Sequence, residues 1–417
     1  MTQTTHHQIL IVGGGAAGIT VAAELRRQDH EHALNIAIID PSDVHYYQPA
    51  FTLVGAGAYS LKDTRRSEAS LIPTDVAWIK DAAASFQPET NAVTLASGDK
   101  VTYDYLVVCP GLQLNWGAVQ GLKEAIGQNG VCSNYSPDTV EYTWECIQNL
   151  KPGSKALFTQ PAMPIKCPGA PQKAAYLASD YLRRCGIRQH CDVRFLTQTP
   201  GIFGVPFYAR ELVKVAAAHD IPVHFQHNLV ELDTNAKKAV FEITGGDQQG
   251  QRISFDYDMI HVTPPQGAPE FLKGSPVANE AGFVDVHANA LQHTKFANVF
   301  GLGDAASTAN SKTAAAVRKQ APVVMRNIFN LINGNTVEEG YDGYASCPLT
   351  TAYGKVLMAE FIYGGKPTPT LPLNPAKERR VNWFLKKTGL PILYWDYMLK
   401  GRIAFPDHDT TFVDPGA

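Results

Sequence analysis

Residues 9–18 read ILIVGGGAAG, an apolar run followed directly by a glycine-rich turn. Four consecutive apolar residues, Ile9–Val12, are typical of a parallel strand that is buried on both faces. Residues 19–27 then carry apolar side chains at helical spacing, and Ile36–Asp40 is a second apolar run that ends in a carboxylate. The order strand, turn, helix, strand predicts one βαβ unit at the start of the chain.

A dinucleotide-binding motif lies within this unit. Gly13, Gly15 and Gly18 form G-x-G-x-x-G between the predicted strand and helix, and Asp40 ends the next strand. An acidic residue at about this distance completes the context that the fingerprint requires. Gly13 permits the tight turn, and Gly15 lets the backbone approach a pyrophosphate at the helix N-terminus. Asp40 can accept hydrogen bonds from a ribose. The alternative is a glycine-rich turn without a ligand.

Two features favour FAD over NAD as the dinucleotide. The motif stands close to the N-terminus, and a second strand end, Gly301–Asp304, lies late in the chain. Two-dinucleotide flavoproteins use such an aspartate on the FAD ribitol, although Asp304 by itself could be an ordinary turn acid. A second βαβ unit opens near Lys155, but residues 158–169 read FTQPAMPIKCPG in place of a glycine fingerprint. Prolines donate no amide to a phosphate, so a nicotinamide nucleotide is not expected there.

The predicted fold class is therefore α/β, with two Rossmann-like domains and a C-terminal region of different composition. Within the second domain we expect a helix at about 170–184 and antiparallel strands in 229–261. The C-terminal region is rich in proline, aromatic and basic residues. The expected boundaries are 1–115 plus 284–335 for the FAD-binding domain, 116–283 for the second domain and 336–417 for the C-terminal region.

Composition excludes several classes of protein. The chain has 417 residues, 45% of them hydrophobic and 18% charged, which is typical of a folded globular protein. Lys and Arg number 36 against 39 Asp and Glu, so the chain lacks the basic excess of nucleic-acid binders and no nucleic acid is expected as a partner. Only Met1–His7 precede the strand predicted from Gln8, so no signal or transit peptide is expected. No apolar run is long enough for a membrane span, and no metal site is expected.

The seven cysteines contain no C-x-x-C pair, so neither a disulfide framework nor a neighbouring dithiol is predicted. Cys167 and Cys347 differ from the others because each lies in a proline-containing loop next to structure expected to surround a flavin. Lys166, beside Cys167, would favour the thiolate, which is the reactive form. A buried structural thiol is the alternative for each of the two. Cys109 is expected in the core, and the role of Cys132 stays open.

In these residues the chain resembles a known family, the sulfide:quinone oxidoreductases, and closely its type II branch, which includes the mitochondrial enzyme. The segments around Cys167 and Cys347 separate this family from the type II NADH dehydrogenases of similar fold. The matching segments are Val12–Thr20, His45–Pro49, Thr52–Gly57, Ser133–Ser136, Lys166–Lys173, His261–Pro265, Gly301–Asp304, Ser311–Val317, Tyr341–Pro348 and Leu393–Trp395.

The resemblance implies an enzyme that carries FAD and oxidises hydrogen sulfide at two redox cysteines, Cys167 and Cys347. Sulfide would attack the Cys347 sulfur of a disulfide or sulfur-bridged pair. Two electrons would pass through FAD to a membrane quinone, and the sulfane sulfur would leave to glutathione, sulfite or polysulfide. Lys312 and Thr313, at a helix N-terminus, would stabilise the negative charge of reduced flavin. The residues expected at the FAD are Gly13, Gly15, Ala16, Ala17, Gly18, Asp40, Gln48, Ala83, Gly111, Asp304, Lys312, Thr313, Ala314 and Val317.

The C-terminal region suggests contact with a membrane. Residues 376–405 hold seven basic residues interleaved with aromatic and aliphatic side chains, a composition typical of a segment in the membrane interface. A helix pair packed on the core is the alternative, and the two are compatible if the apolar face is only partly covered. We therefore expect a peripheral membrane protein at the cytoplasmic face of a bacterial inner membrane. The aromatic residues expected to close the quinone site, opposite the cysteines, are Phe361, Tyr363, Trp383, Phe384 and Tyr394.

Two other functions stay open at this point. A type II NADH:quinone oxidoreductase is opposed by the missing second glycine fingerprint. A flavin-binding persulfide sensor without turnover is opposed by the two loop cysteines and the membrane-type tail. Cys132 falls where type I enzymes have a third cysteine, so it is either the mark of an intermediate enzyme or a bystander, which we favour. The sequence leaves the oligomeric state open, and a homo-oligomer is one alternative.

We predict that the purified protein is yellow, with one FAD per chain that acid releases, because no residue clearly tethers the flavin. The measurement is the absorbance spectrum of the supernatant after acid precipitation. Flavin that stays with the denatured protein would contradict this and would point to a covalent link at Cys132.

Overall fold

The computed structural model describes residues 3–402, 408 and 411–414. Its first sheet is built on the apolar run that opens the chain, and Ile9, Leu10 and Ile11 are fully buried in it. The central strand pairs in parallel with one neighbour on each side, as predicted. The strands of this sheet are β1 (Thr4–Val12), β2 (Ile36–Ile39), β5 (Val76–Ile79), β6 (Ala83–Gln87), β7 (Ala92–Leu95), β8 (Lys100–Val108) and β19 (Val299–Gly301).

Strand β8 connects the early and late parts of the first domain. It pairs with β1 along one edge, and its other edge pairs with β7 near its start and with β19 near its end. The parallel register Val299↔Leu106 brings the end of β19, and therefore Gly303 and Asp304, to the same sheet edge as the glycine turn after β1. The strand begins at Thr4 rather than Gln8, since its first residues extend the pairing with β8.

A second sheet is parallel and has five strands in the order β10–β17–β11–β12–β13. The prediction of antiparallel strands in 229–261 is confirmed for a three-stranded antiparallel sheet. It is wrong for Met259–His261, which joins the parallel sheet next to β11. This last segment is fully buried, which suits a central parallel strand. The strands are β10 (Val131–Cys132), β11 (Lys155–Gln160), β12 (Asp192–Thr197), β13 (Val223–His224), β17 (Met259–His261), and, in the antiparallel sheet, β14 (His227–Asp233), β15 (Lys238–Ile243) and β16 (Arg252–Asp256).

The C-terminal region starts with a small antiparallel sheet that packs against helix α5. This sheet consists of β20 (Ala345–Ala352), β21 (Lys355–Ile362) and β22 (Lys366–Pro367). Two short pairs complete the strands: β3 (Val44–Tyr46) with β4 (Arg65–Ser67), and β9 (Gln113–Leu114) with β18 (Gln266–Gly267). The helices are α1 (Ala16–Gln28), α2 (Phe51–Val54), α3 (Leu122–Ala125), α4 (Pro137–Gln148), α5 (Ala170–Arg184), α6 (Pro206–Ala218), α7 (Ala314–Ile332), α8 (Arg380–Phe384) and α9 (Leu390–Ile392).

The last described helices form one nearly continuous segment, residues 380–400, in which α8 and α9 alternate with π-helical and 3₁₀ turns. We call it the C-terminal helical segment. One side packs on α1, where Met398 and Leu399 join the core around β1. Residues 403–407, 409–410 and 415–417 of the expected C-terminal region lie outside the described residues. Among the helices that the structure describes, none combines the length and the apolar character that a bilayer crossing requires.

Candidate active site at a cysteine pair and an elongated cavity

The glycine turn after β1 forms one wall of a cavity of about 620 Å³. Gly13 has φ +109°, and a Cβ there would lie 2.6 Å from the carbonyl oxygen of Cys109, so only glycine fits. An ideal Cβ on Gly15 would meet no atom within 4 Å, because this residue faces the cavity. The turn is therefore open to a ligand that approaches the N-terminus of α1, as a pyrophosphate would.

Asp40, at the end of β2, stabilises this turn as well as lining the cavity. Its Oδ2 accepts a hydrogen bond from the Gly14 N–H at 2.6 Å, and its Oδ1 accepts one from the Ser42 N–H at 2.8 Å. The acidic residue of the fingerprint thus has a structural role in addition to the predicted contact with a ribose.

Most of the residues predicted to contact FAD lie together around the cavity. They are Gly13, Gly15, Ala16, Ala17, Asp40, Gln48, Gly111, Asp304, Lys312, Thr313, Ala314 and Val317. Gly18 and Ala83 do not line it. Gly18 lies inside α1, where a Cβ would be 1.8 Å from the Gly13 carbonyl oxygen, and Ala83 is packed in the core behind the sheet.

The cavity has the chemistry that FAD requires. Thr52 Oγ1 and Asn134 Oδ1 line it, are buried and have no hydrogen-bond partner within the described chain, so both are available to a polar ligand. The N-terminus of α7 also opens into it, and Thr313 caps that helix by accepting a hydrogen bond from the Ala316 N–H. Burial lowers the pKa of Lys312 to about 8. Its ammonium donates to the carbonyls of Ala306 and Thr308, so it is held at the helix start.

Cys167 and Cys347 meet at one end of the cavity, with 3.7 Å between their Sγ atoms. Cys167 follows the turn after β11 and has φ +50°, and its N–H donates to the Lys312 carbonyl at 2.8 Å. Cys347 is fully buried in strand β20, so the expectation that it lies in a loop was wrong. Gly169 makes the approach possible, since a Cβ there would be 2.7 Å from Cys347 Sγ. Cys167 lines the cavity and Cys347 lies behind it.

Lys173, in α5, contacts both sulfur atoms. Its Nζ lies 3.2 Å from Cys167 Sγ and 3.8 Å from Cys347 Sγ, and the side chain is 1% exposed. A hydrogen bond from Cys347 lowers the pKa of Cys167 well below its ordinary value, and the charge of Lys173 lowers it further, although burial opposes both. The pKa of Cys347 is raised well above its ordinary value by that hydrogen bond and by burial. Because Lys173 Nζ also lies closer to Cys167 Sγ than to Cys347 Sγ, the site favours Cys167 as the thiolate of the pair.

The lysine that stabilises this thiolate is not the one predicted. Lys166 Nζ donates to Gln48 Oε1 at 2.7 Å, so it holds the loop to the glutamine beside the cavity. The expectation that Lys166 favours the thiolate was wrong because the backbone turns at Cys167, whose φ is +50°, and the Lys166 side chain reaches Gln48 instead of the sulfur atoms. Lys173 lies in the first turns of a helix that starts three residues after Cys167. This position in the sequence could have identified Lys173 as a lysine close to the sulfur atom.

A second lysine missed by the sequence analysis comes from the C-terminal helical segment. Lys386 is 5% exposed and lines the cavity, and its Nζ lies 3.5 Å from the Pro49 carbonyl oxygen. Burial and the charge of Lys173 lower its pKa to about 7. A lysine on the buried side of an amphipathic helix was the signal that could have identified it.

Only one of the five aromatic residues predicted for the quinone lies at the cavity. Tyr394 lines it. The strand residue Phe361 is in the core around α5 and β20, and the Tyr363 hydroxyl donates to the Ala288 carbonyl. Trp383 packs against the ring of Tyr353, and Phe384 is 66% exposed. The structure therefore does not bring the five together, because neighbours on a helix or strand face different sides.

Of the other cysteines, Cys109 lines the cavity beside the glycine turn, and Cys132, Cys146, Cys185 and Cys191 do not line it. Cys132 is fully buried in β10, and its Sγ–H donates to the Ile260 carbonyl at 3.6 Å. Burial raises its pKa well above the ordinary value. Cys109 is also buried, as predicted. These positions agree with the interpretation of Cys132 as a bystander.

The fold and site define a class, the FAD-binding oxidoreductases with two Rossmann-like domains. The family "Pyridine nucleotide-disulphide oxidoreductase" matches residues 7–138. The X-ray structure of the sulfide:quinone oxidoreductase from Aquifex aeolicus superposes with a TM-score of 0.79 at 21% identity, covering 97% of each chain. Members of this class bind FAD, and this chain is an FAD-binding flavoprotein.

Comparison with curated proteins identifies the family. The chain is 46% identical over 396 residues to "Sulfide:quinone oxidoreductase, mitochondrial" of Dictyostelium discoideum, with 95% of this chain and 86% of the relative covered. It is 44% identical over 400 residues to the protein of the same name from Mus musculus, with 96% and 88% covered. The chain belongs to the sulfide:quinone oxidoreductase family, which confirms the resemblance read from its sequence, and it is an oxidoreductase.

We predict that Lys173→Gln raises the pKa of Cys167, because the variant lacks the cation that stabilises the thiolate. After reduction, alkylation of Cys167 by iodoacetamide at pH 7 should slow, and its pH midpoint should rise by about one unit or more. Mass spectrometry of the Cys167 peptide across a pH series measures this. Lys151→Gln, which removes an exposed lysine, is the control. An unchanged pH midpoint in Lys173→Gln would contradict the assignment.

Proposed function

We propose that the protein oxidises hydrogen sulfide at Cys167 and Cys347 and passes the two electrons, through FAD, to a membrane quinone. The observation that carries the proposal is the pair of sulfur atoms 3.7 Å apart, one fully buried and one at the cavity, with the Lys173 ammonium against both. The family membership and the relatives' names support sulfide and quinone as substrates. The sulfane sulfur leaves to a small acceptor such as glutathione, sulfite or polysulfide.

The cysteine chemistry starts from the oxidised pair, a Cys167–Cys347 disulfide. Hydrosulfide attacks Cys347 Sγ, the S–S bond breaks, and Cys347 persulfide and Cys167 thiolate form. Cys167 is the better leaving group because its thiolate is stabilised, first by Cys347 and then by Lys173. A nucleophile then takes the outer sulfur of the persulfide and leaves a Cys347 thiolate. Loss of two electrons from the two thiolates re-forms the disulfide.

FAD, when bound, supplies a two-electron acceptor for the cysteine pair and a two-electron donor for a quinone. The residues that would hold it are those around the cavity, with Gly13 and Gly15 at the pyrophosphate and the start of α7 near the flavin. Cys167, rather than Cys347, lines that cavity, which supports Cys167 as the sulfur that faces the cofactor. Asp304 is half-buried in the cavity lining, and desolvation raises its pKa while the charge of Lys312 opposes the shift.

A membrane-facing surface lies on the outer side of the C-terminal helical segment. Val381, Phe384, Ile392 and Tyr397 are between 40% and 66% exposed there. The exposed basic residues around them are Lys377, Arg380, Lys387, Lys400 and Arg402. Exposed apolar side chains among basic ones suit a helix that lies in the membrane interface. Because the other side of the segment packs on the core, a membrane-facing outer side and a core-packed inner side are compatible, which supports the proposal.

We therefore propose a peripheral membrane protein. The expected cytoplasmic face of a bacterial inner membrane stays a prediction, since the curated relatives at 36–46% identity are named mitochondrial. A homo-oligomer also stays a proposal. The division into an FAD-binding domain (1–115 plus 284–335), a second domain (116–283) and a C-terminal region (336–417) is supported by the separate sheets.

We predict that Cys167→Ser and Cys347→Ser each abolish quinone reduction by sulfide but keep FAD, because each sulfur has its own covalent role. Turnover is measured anaerobically with sulfide and a short-chain quinone, and FAD content by absorbance. Cys109→Ser, Cys146→Ser and Cys185→Ser should keep substantial turnover. Wild-type activity in Cys167→Ser or Cys347→Ser would show that the mechanism is wrong. Flavin bleaching by NADH but not by sulfide would favour an NADH dehydrogenase.

We also predict that the double variant Phe384→Glu/Ile392→Glu loses binding to anionic liposomes. The bound fraction should fall at least about ten-fold, because two apolar side chains worth roughly 1.5–3 kcal/mol each on burial become charged. Flotation measures binding, and the flavin reduction by sulfide should persist. The matched control, Val213→Glu/Ile253→Glu, changes two exposed apolar residues outside the segment. Equal flotation of the two double variants would contradict the proposed surface.

A further inference from the structure

Three buried polar side chains form a chain that ends at the cavity. Tyr394 Oη lies 2.5 Å from His45 Nε2, and His45 Nδ1 lies 3.4 Å from Glu68 Oε2. Each residue is at most 5% exposed. Glu68 Oε2 faces the imidazole, and Glu68 Oε1 has no hydrogen-bond partner among the described residues. The cysteine chemistry does not use these groups, and buried polar groups are costly unless they are paired.

The three residues come from separate elements that the fold brings together. His45 is in β3 and stands opposite Arg66 of β4, and Glu68 follows that strand directly. Tyr394 comes from the C-terminal helical segment, almost 350 residues away. Its ring packs on Tyr47 and Trp395, with centroids at 4.8 and 5.0 Å. The hydroxyl is therefore fixed in direction by packing as well as by the hydrogen bond.

Tyr394 and the cysteine pair lie at different points of one cavity. Lys386, from the same helical segment, lines the cavity and acts electrostatically on both sulfur atoms. Tyr394 follows Lys386 by eight residues, which is about 12 Å and two turns along a helix. Both side chains therefore lie on the inner side of the segment. His45 also lines the cavity. The two chemistries that the proposed function requires, at sulfur and at quinone, can therefore take place apart.

A second cavity, of about 760 Å³, lies beside the sequence neighbours and strand partners of Tyr394 and His45. Trp395, the neighbour of Tyr394, and Arg66, the residue opposite His45, line it together with the exposed residues Lys387 and Ile392. The ring of Trp395 is 5.7 Å from that of His45. Water in this second cavity is thus one side chain away from the imidazole.

The geometry points to Tyr394, His45 and Glu68 as a proton relay that serves quinone reduction, with Tyr394 as the group that donates to the quinone. This inference rests on the proposed function. Formation of the quinol needs two electrons and two protons: FAD, when bound and reduced, would supply the two electrons with one proton, and the Tyr394 hydroxyl gives the second proton to the other quinone oxygen. The His45 imidazolium returns a proton to the tyrosinate, Glu68 stabilises the imidazolium, and water reprotonates His45. The product is the quinol, and no other reactant is needed.

The surroundings of Tyr394 suit a donor that stays protonated between turnovers. Burial raises the pKa of Tyr394 well above its ordinary value, and the facing Tyr47 and Glu68 raise it further. Proton loss to water is therefore unfavourable, and transfer to a reduced quinone is accompanied by proton return from His45. His45, Glu68 and Tyr47 are the titratable groups in contact with Tyr394 or His45 within the described residues, and Arg66 lies 4.9 Å over the Trp395 ring.

The test compares Tyr394→Phe, which keeps the packed ring, with the wild type in two anaerobic half-reactions. Flavin reduction by sulfide should stay within about two-fold, while reoxidation by a short-chain quinone should slow at least ten-fold. The rate of reoxidation should show a solvent deuterium isotope effect in the wild type, and the size of this effect should be different in the variant. Binding of a redox-inert quinone analogue to the oxidised protein, measured by calorimetry, should weaken about five-fold because one hydrogen bond is lost. Tyr103→Phe, which removes a buried hydroxyl outside the cavity, is the matched control.

His45→Gln and Glu68→Gln separate a relay from a structural contact. Both should slow reoxidation and keep analogue binding near the wild-type value, because Tyr394 remains. Wild-type reoxidation in Tyr394→Phe would overturn the relay, as would loss of FAD in all three variants, which would make the residues structural. Failure of the wild type itself to be reduced by sulfide or reoxidised by quinone would instead overturn the proposed function.

Discussion

The approach of two sulfur atoms that are 180 residues apart is the contact on which the site depends. It requires the loop after β11 and the hairpin that contains β20 to meet, and the packing of α5 against β20 brings them together. Hydrogen bonds hold the loop in place, among them those from the Cys167 N–H to the Lys312 carbonyl, from the Lys166 N–H to Gln266 Oε1, and from the Tyr135 hydroxyl to the Lys166 carbonyl. The hydrogen bond from Cys347, and then the charge of Lys173, lower the pKa of Cys167.

The same loop explains why a second dinucleotide is not expected. In a second nucleotide-binding unit the turn after the first strand would present amides to a phosphate. Here this turn contains prolines and delivers Cys167 toward the first domain. The position that would hold a nicotinamide nucleotide instead delivers a sulfur to the cavity, which suits a donor as small as hydrosulfide.

The C-terminal helical segment has a different role on each of its sides. Its inner side closes the cavity with Lys386 and Tyr394 and packs Met398 and Leu399 on the core. Its outer side exposes Phe384 and Ile392 among basic residues. One segment therefore connects the cavity to the surface that we propose for the membrane. A quinone would have to move only across this segment to pass from the membrane to the cavity.

The sequence by itself determined the first βαβ unit and its glycine turn, and it singled out Cys167 and Cys347, although it did not show that Cys347 lies in a strand. These depend on local patterns, since the spacing of Gly13, Gly15 and Gly18 and the apolar runs around them act over a few residues. Helix α5 was predicted at its observed bounds for the same reason. Only the tertiary structure decided that Lys173 rather than Lys166 faces Cys167, that Tyr394 lines the cavity while Phe361 and Trp383 do not, and that His45 and Glu68 meet Tyr394. Side-chain direction and contacts between distant segments follow from packing, which a linear pattern does not specify.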